Sequence, residues 1–290
     1  MIDNKQIKEY IRACEHMMKF FNKLLNQNIK SAVGSDNHDK LAELTDLRVL
    51  AKTKNWPIAI DEKISVIEHL RKFVETISVS LKGKNVLEFG CCDSELAAIL
   101  KNECGAKKVV SYDLELCKFR QNTISDQGVI YTDNFRIVQQ NSTYDIIVIN
   151  DVLDHIEKPV YWLKQLNPLM IENSRIFIRF HPFTSRNGTH LADQMNKAYM
   201  HLVFSDDELA TFGIANKFTR KITDLQVSYE RFIEESGFKI LNQNIKKTPV
   251  EILFSTDDRI ANRIRRNLQT DKNINDIIEI EYIDYELMKS

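Results

Sequence analysis

Apolar and polar positions along the chain change period twice, and each change marks a different kind of element. From Ile7 to Ile29 the residues Ile7, Tyr10, Ile11, Cys14, Met17, Met18, Phe21, Leu24 and Leu25 recur every three or four positions, which puts them on one stripe of a helix. A polar break follows at 31–40, then helical patterns at Leu41–Ala51 and Ile64–Ser78 with the turn Asn55-Trp56-Pro57 between them. Residues 1–80 are therefore predicted to form an N-terminal helical cap. The pattern then alternates: short apolar runs at Lys84–Gly90, Lys107–Asp113, Tyr144–Asn150 and Arg175–Phe180 predict strands, with helices at Ser94–Asn102 and Val160–Met170. Strands of this kind, separated by helices, predict parallel βαβ units buried on both faces. Val129–Tyr131 and Phe135–Val138 compete for one further strand. Beyond a helix at Tyr229–Ser236, Phe238–Asn244 and Val250–Ser255 follow without an intervening helix and predict a closing antiparallel hairpin. The α/β core is thus expected over 81–258, with a polar insertion at 181–228 and a charged tail at 259–290.

Chemistry concentrates where the strands end. In Val86-Leu87-Glu88-Phe89-Gly90-Cys91-Cys92-Asp93-Ser94 a buried strand runs through a tight turn into a helix. In an open parallel sheet that turn lies closest to a bound ligand, and Gly90 permits a close approach of the backbone. The turn lacks the further glycines of a pyrophosphate site, and Asp93 would repel a phosphate, so a ligand carrying an ammonium and a ribose fits better. Asp113 ends the next strand, 23 residues beyond Gly90, where a carboxylate accepts two hydrogen bonds from a ribose diol. The alternative for Asp113 is an ordinary turn-forming aspartate.

These motifs resemble those of the class I S-adenosylmethionine-dependent methyltransferases. VLEFGCCDSELA is similar to the first motif of that superfamily, SYD to its second, and YDIIVINDVLDHIEKP to the fourth-strand motif with its VLEH and proline; the likeness runs from about Asn85 to Ser255. The resemblance implies a Rossmann-like, mostly parallel seven-stranded sheet with an antiparallel terminal hairpin. It also implies S-adenosylmethionine as cofactor, S-adenosylhomocysteine as product, and Glu88, Gly90, Cys91, Cys92, Asp113, Leu114, Asn150 and Asp151 around the cofactor. Cys92 and Ser94 stand where the superfamily usually has two more glycines, so each adds a β-carbon at the turn. Asp154 replaces the more frequent glutamate of VLEH.

Asp151 is read as binding the cofactor ammonium or orienting a substrate hydroxyl, against a helix-cap alternative, and His155 as a structural hydrogen-bonder. The insertion holds Arg179-Phe180-His181-Pro182-Phe183-Thr184-Ser185-Arg186-Asn187-Gly188-Thr189-His190-Leu191 and then Tyr199-Met200-His201-Leu202. Loops leaving this end of a sheet select substrates. His181, His190 and Asp151 are the catalytic candidates, and Arg179, Arg186, Tyr199 and His201 the candidates for acceptor contact; the alternatives are loop anchoring through backbone hydrogen bonds for His181 and His190, core packing for Tyr199 and solvated loop charges for the arginines. The histidines show no recognised metal-site spacing, so no metal is expected.

Composition narrows the partners. Forty Lys plus Arg against 41 Asp plus Glu leave a formal charge of −1 over 290 residues, so no overall field draws the molecule to nucleic acid or to an anionic membrane. A small molecule or glycan is the favoured acceptor over nucleic acid, and a homodimer would use the terminal additions. The five cysteines, Cys14, Cys91, Cys92, Cys104 and Cys117, form no CxxC pair, and the charged amino terminus has no apolar signal region. A reducing, cytoplasmic setting is expected. The resulting function is methyl transfer to an oxygen or nitrogen by in-line attack; the alternative is a non-catalytic binding or assembly subunit built on the same fold.

Overall fold

In the computed structural model the described residues are 35–53, 55–61, 64–91, 95–114, 128–141, 143–156, 158–214 and 226–290. The predicted helix at 7–29 and the residues Cys92, Asp93 and Ser94 lie outside them. The chain divides after Trp56 into two compact units, so the boundary falls earlier than the expected position near 80. In the first, a helix spans Ser35–Lys52, with Leu47 and Ala51 fully buried. Among the described residues no helix is long and apolar enough to cross a membrane.

The second unit is built on a seven-stranded sheet: β1 Asn85–Phe89, β2 Lys108–Tyr112, β3 Val129–Thr132, β4 Tyr144–Asn150, β5 Met170–Phe180, β6 Phe238–Lys247 and β7 Ile280–Lys289. The spatial order is β3-β2-β1-β4-β5-β7-β6, with β7 antiparallel to both neighbours. The order reverses between β1 and β4, and the crevice for a ligand in such a sheet lies outside the strand ends at that point. Alternation within each strand feeds two cores. Leu87, Phe89, Ile147, Ile149, Ile176 and Ile178 face one side, packed on Leu163, Tyr229 and Ile233. Val86, Val109, Ile146, Val148 and Phe177 face the other, packed on Leu70, Phe73, Leu96 and Leu100. Burial on both faces explains why the central strands read as continuous apolar runs.

Several expectations are corrected. Leu70 and Phe73 belong to the helix Val66–Val74, capped by the Ser65 side chain accepting from the Glu68 amide, so this segment is part of the α/β unit and not of a separate cap. Val129–Thr132 is the third strand and Phe135–Gln140 is a helix, capped by Asn134. The partner of β6 is not Val250–Ser255, where a helix spans Ile252–Thr256 instead. It is β7, drawn from the charged tail. The tail is therefore drawn into the sheet: Ile283, Tyr285 and Leu287 are buried, and their alternation with Asp284 and Glu286 has the period of a strand.

Part of the 181–228 insertion is also interior. Ala198 to Phe204 are buried, with the helix Met200–Val203 laid against Asp258–Leu268. Arg263 Nη1 donates to Val203 O at 3.3 Å and pairs with Glu208 at 3.1 Å, and Asn267 Nδ2 donates to Leu202 O at 2.8 Å.

Candidate active site

The turn after β1 and the tip of β2 are locked together by the backbone. Gly90 N–H donates to Tyr112 O at 2.7 Å and Cys91 N–H to the same oxygen at 3.3 Å, which sets the Gly90 turn directly beside Asp113. Asp113 is itself held by its N–H donating to Thr132 O at 3.2 Å. Gly90 has φ +84°, and a β-carbon there would lie 2.3–2.9 Å from the side chain of Val152. Both the conformation and the lack of space therefore require glycine. Beneath the turn Glu88 is buried and accepts a hydrogen bond from the Ser111 hydroxyl. Leu114, next to Asp113, is exposed and presents an apolar side chain at the rim. An adenosine-like group fits this pattern: a backbone cradle that admits close approach, a carboxylate beside it, and an open apolar rim.

Cys91 carries no reactive thiolate. Burial, reinforced by the charge of Glu88, pushes its thiol up to about 12. Iodoacetamide at pH 8 is expected to leave Cys91 unmodified in native protein and to alkylate it after denaturation, as read by peptide mass spectrometry; rapid native labelling would show that the turn opens.

The ends of β4 and β5 form the neighbouring wall. Asp151 N–H donates to Arg179 O at 2.8 Å and Asp151 has φ +53°, a strained left-handed conformation for a non-glycine residue. It is not a helix cap; the 3₁₀ turn Leu153–His155 starts from Val152 without a side-chain cap. Its carboxylate instead faces two imidazoles, His181 Nε2 at 3.5 Å and His69 Nε2 at 3.9 Å, whose rings stack with centroids 6.1 Å apart. His181 Nδ1 lies 2.7 Å from Glu281 O. A carbonyl only accepts, so the proton sits on Nδ1 and leaves Nε2 as the basic nitrogen. Burial, only partly opposed by Asp151, holds His69 below the ordinary histidine range. Asn150 donates to Asp151 Oδ2 at 3.2 Å and keeps it oriented.

His190 lies apart from this pair. Its Nε2 is 3.2 Å from His155 Nε2, and the two imidazoles are 3.7 and 3.4 Å from Asp154 Oδ2. Burial works against the charge on Asp154, but the imidazoles of His190 and His155 outweigh it and hold the carboxyl below the usual range. Burial likewise works against protonated His190, but Asp154 raises it; His155, where burial wins over Asp154, is lowered.

The acceptor-contact candidates are mostly elsewhere. Arg179 is 1% exposed and donates Nε and Nη2 to the two oxygens of Asp284 at 2.6 and 2.9 Å, sandwiched between the rings of Tyr282 and Phe73. Tyr199 is buried with its hydroxyl donating to Ile278 O at 3.1 Å, and His201 is buried with Nε2 donating to Phe183 O at 2.6 Å. These three are structural, because tertiary packing has consumed the polar atoms that an acceptor would need. Arg186, partly buried, pairs with Glu251 at 2.7 Å. Sequence reasoning missed His69, Val152 and the carbonyl of Glu281. His69 lies on an ordinary amphipathic helix, and no local signal distinguishes it.

A family model described as a methyltransferase domain matches residues 62–241, more than half of the 290. The chain belongs to the methyltransferase family. It is an enzyme of the class I superfamily that uses S-adenosylmethionine, and the residues at the β1 and β2 tips fit that cofactor. No curated protein matches the chain. Among solved structures the methyltransferase is similar to magnesium protoporphyrin IX methyltransferase from Synechocystis PCC 6803 with S-adenosylmethionine bound, at 16% identity over 78% of each chain and a TM-score of 0.39. It is also similar to coclaurine N-methyltransferase bound to N-methylheliamine and S-adenosylhomocysteine, at 12% identity, covering 94% of this chain and 95% of that one, TM-score 0.45. A Streptococcus thermophilus protein described as a hemolysin aligns at 11% identity and TM-score 0.42 with 76% of this chain, which spans 64% of that protein's length.

Proposed function

We propose that this methyltransferase methylates an oxygen or nitrogen of a small-molecule or glycan acceptor, with His181 receiving the acceptor proton. Bound S-adenosylmethionine supplies an activated methyl group that needs alignment more than activation. The Gly90 turn and Asp113 hold the nucleoside, and Asp151 and Asn150 border the neighbouring reacting end. The contact of Nδ1 with Glu281 O directs His181 Nε2 toward the crevice as the nitrogen that accepts a proton. After it takes a proton, the Asp151 carboxylate at 3.5 Å stabilises the imidazolium, as in other positioned acid–base pairs. The observation that carries the reading is the bond from Gly90 N–H to Tyr112 O, which brings the glycine turn and Asp113 together at the switch point of the sheet.

The acceptor preference rests on charge. Forty Lys plus Arg against 41 Asp plus Glu give the chain no net positive field to draw in a polyanion. Two substitutions test the site. Asp113→Ala is expected to weaken S-adenosylhomocysteine binding at least about tenfold by calorimetry, through loss of a charge-assisted ribose contact. His181→Ala is expected to keep that affinity while slowing methyl gain by an acceptor, followed by mass spectrometry over a panel of hydroxylated and amine compounds. Unaltered binding in Asp113→Ala would refute the cofactor site, and full turnover in His181→Ala would refute the base.

A further inference from the structure

We propose that Asp154, His155 and His190 form a binding site for one divalent transition-metal ion of the zinc type. Asp154 Oδ2, His155 Nε2 and His190 Nε2 make a triangle with edges of 3.2, 3.4 and 3.7 Å. Four-coordinate zinc with bonds near 2.0–2.1 Å to nitrogen and oxygen separates its ligand atoms by ~3.3 Å, so an ion above this triangle meets all three at ordinary bond lengths. Two imidazoles with one carboxylate are a ligand set used by zinc and by other first-row divalent ions, and three protein ligands leave a position open.

Two further observations point to a cation there. The Asp154 side chain is 7% exposed, and the groups that reach its Oδ2 are the imidazoles of His155 and His190, at 3.4 and 3.7 Å. A carboxylate so buried is unfavourable unless a cation or a donor reaches it. His190, moreover, has φ +53°, held by its N–H donating to Asn187 O at 3.0 Å just after Gly188. Gly188 is itself required, since a β-carbon would lie 2.2 Å from Phe183 O. The loop after β5 thus spends backbone strain to aim this imidazole at the β4 turn, behaviour associated with functional sites. The other grouping, His69, Asp151 and His181, is more open: its imidazoles lie 3.9 and 3.5 Å from the carboxylate and His69 is 36% exposed. The narrower, more buried triangle is the site.

The open position would lie near His181, whose ring stands perpendicular to His190 at 6.5 Å. An acceptor with an oxygen donor near its methylated atom could be anchored there. That role rests on the methyl-transfer reading; metal binding does not, and it is measured without cofactor or acceptor.

The whole chain, freed of metal with a chelator, is titrated with Zn²⁺ by calorimetry, and its bound metal is counted by mass spectrometry. One equivalent with micromolar or tighter affinity is expected, together with a rise in melting temperature. His190→Ala and Asp154→Asn are expected to lose at least about a hundredfold in affinity, as removal of a ligand requires, while His69→Ala retains it. If a variant does not fold, Co²⁺ added to the unaltered chain decides: visible absorption of four-coordinate cobalt with imidazole ligands supports the site. No stoichiometric metal in the unaltered chain would overturn the proposal and leave a metal-free hydrogen-bonded chain of Asp154 and the two histidines. Binding lost in His69→Ala but kept in His190→Ala would overturn it in favour of the other grouping.

Discussion

Gly90→Ala is expected to reduce S-adenosylhomocysteine affinity on the order of a hundredfold, equivalent to ~2.8 kcal/mol. At φ +84° a residue bearing a β-carbon is strained by about 1–2 kcal/mol. The clash is larger still, because the new methyl group would lie 2.3 and 2.5 Å from the two methyl carbons of Val152 and 2.9 Å from its Cβ. Either the turn retreats from Tyr112 O and leaves Asp113, or Val152 moves and disturbs Asp151 beside it. Both routes damage the same crevice. Adding Val152→Ala removes the two closest contacts and should recover part of the affinity, while the backbone strain persists. Calorimetry on the single and double variants, with melting curves to confirm folding, measures this. Native affinity in a folded Gly90→Ala protein would mean that the cofactor does not approach this turn.

Asp284→Ala is expected to cost about 3–5 kcal/mol of stability, the range for removing one partner of a buried ion pair. Arg179 and Asp284 face each other directly across β5 and β7, and both are buried. Without Asp284 the guanidinium loses two hydrogen bonds and stays charged between Tyr282 at 4.1 Å and Phe73 at 5.1 Å. Replacing both members with Arg179→Met and Asp284→Leu should recover most of the loss, since apolar residues of similar size often match a buried pair. Urea unfolding with linear extrapolation reads both. A loss under about 1 kcal/mol for Asp284→Ala would show that water reaches the pair and screens it.

Local pattern was enough to find β1, β2, β4 and the Gly90 and Asp113 elements, because each depends on interactions within a strand and the turn that ends it. Tyr144–Asn150 is a strand in the structure over the same residues that its apolar run predicts. Failures occurred where partners are far apart in the chain. Val250–Ser255 is apolar and adjacent to β6, yet β7 takes the place beside β6 from more than thirty residues downstream, since only it also satisfies β5. Arg179 lies in the substrate-side motif, but Asp284 claims it; nothing near position 179 announces an acid on β7.

The residue order therefore specified a parallel α/β sheet, the glycine turn and the carboxylate that follows it, since periodicity and turn chemistry act over a few neighbours. Tertiary structure alone decided which polar groups remained available: it buried Arg179, Tyr199 and His201, brought His69 and His181 to Asp151, and closed His155 and His190 on Asp154. Side-chain chemistry depends on distances across the fold, and those are fixed only once the strands have paired.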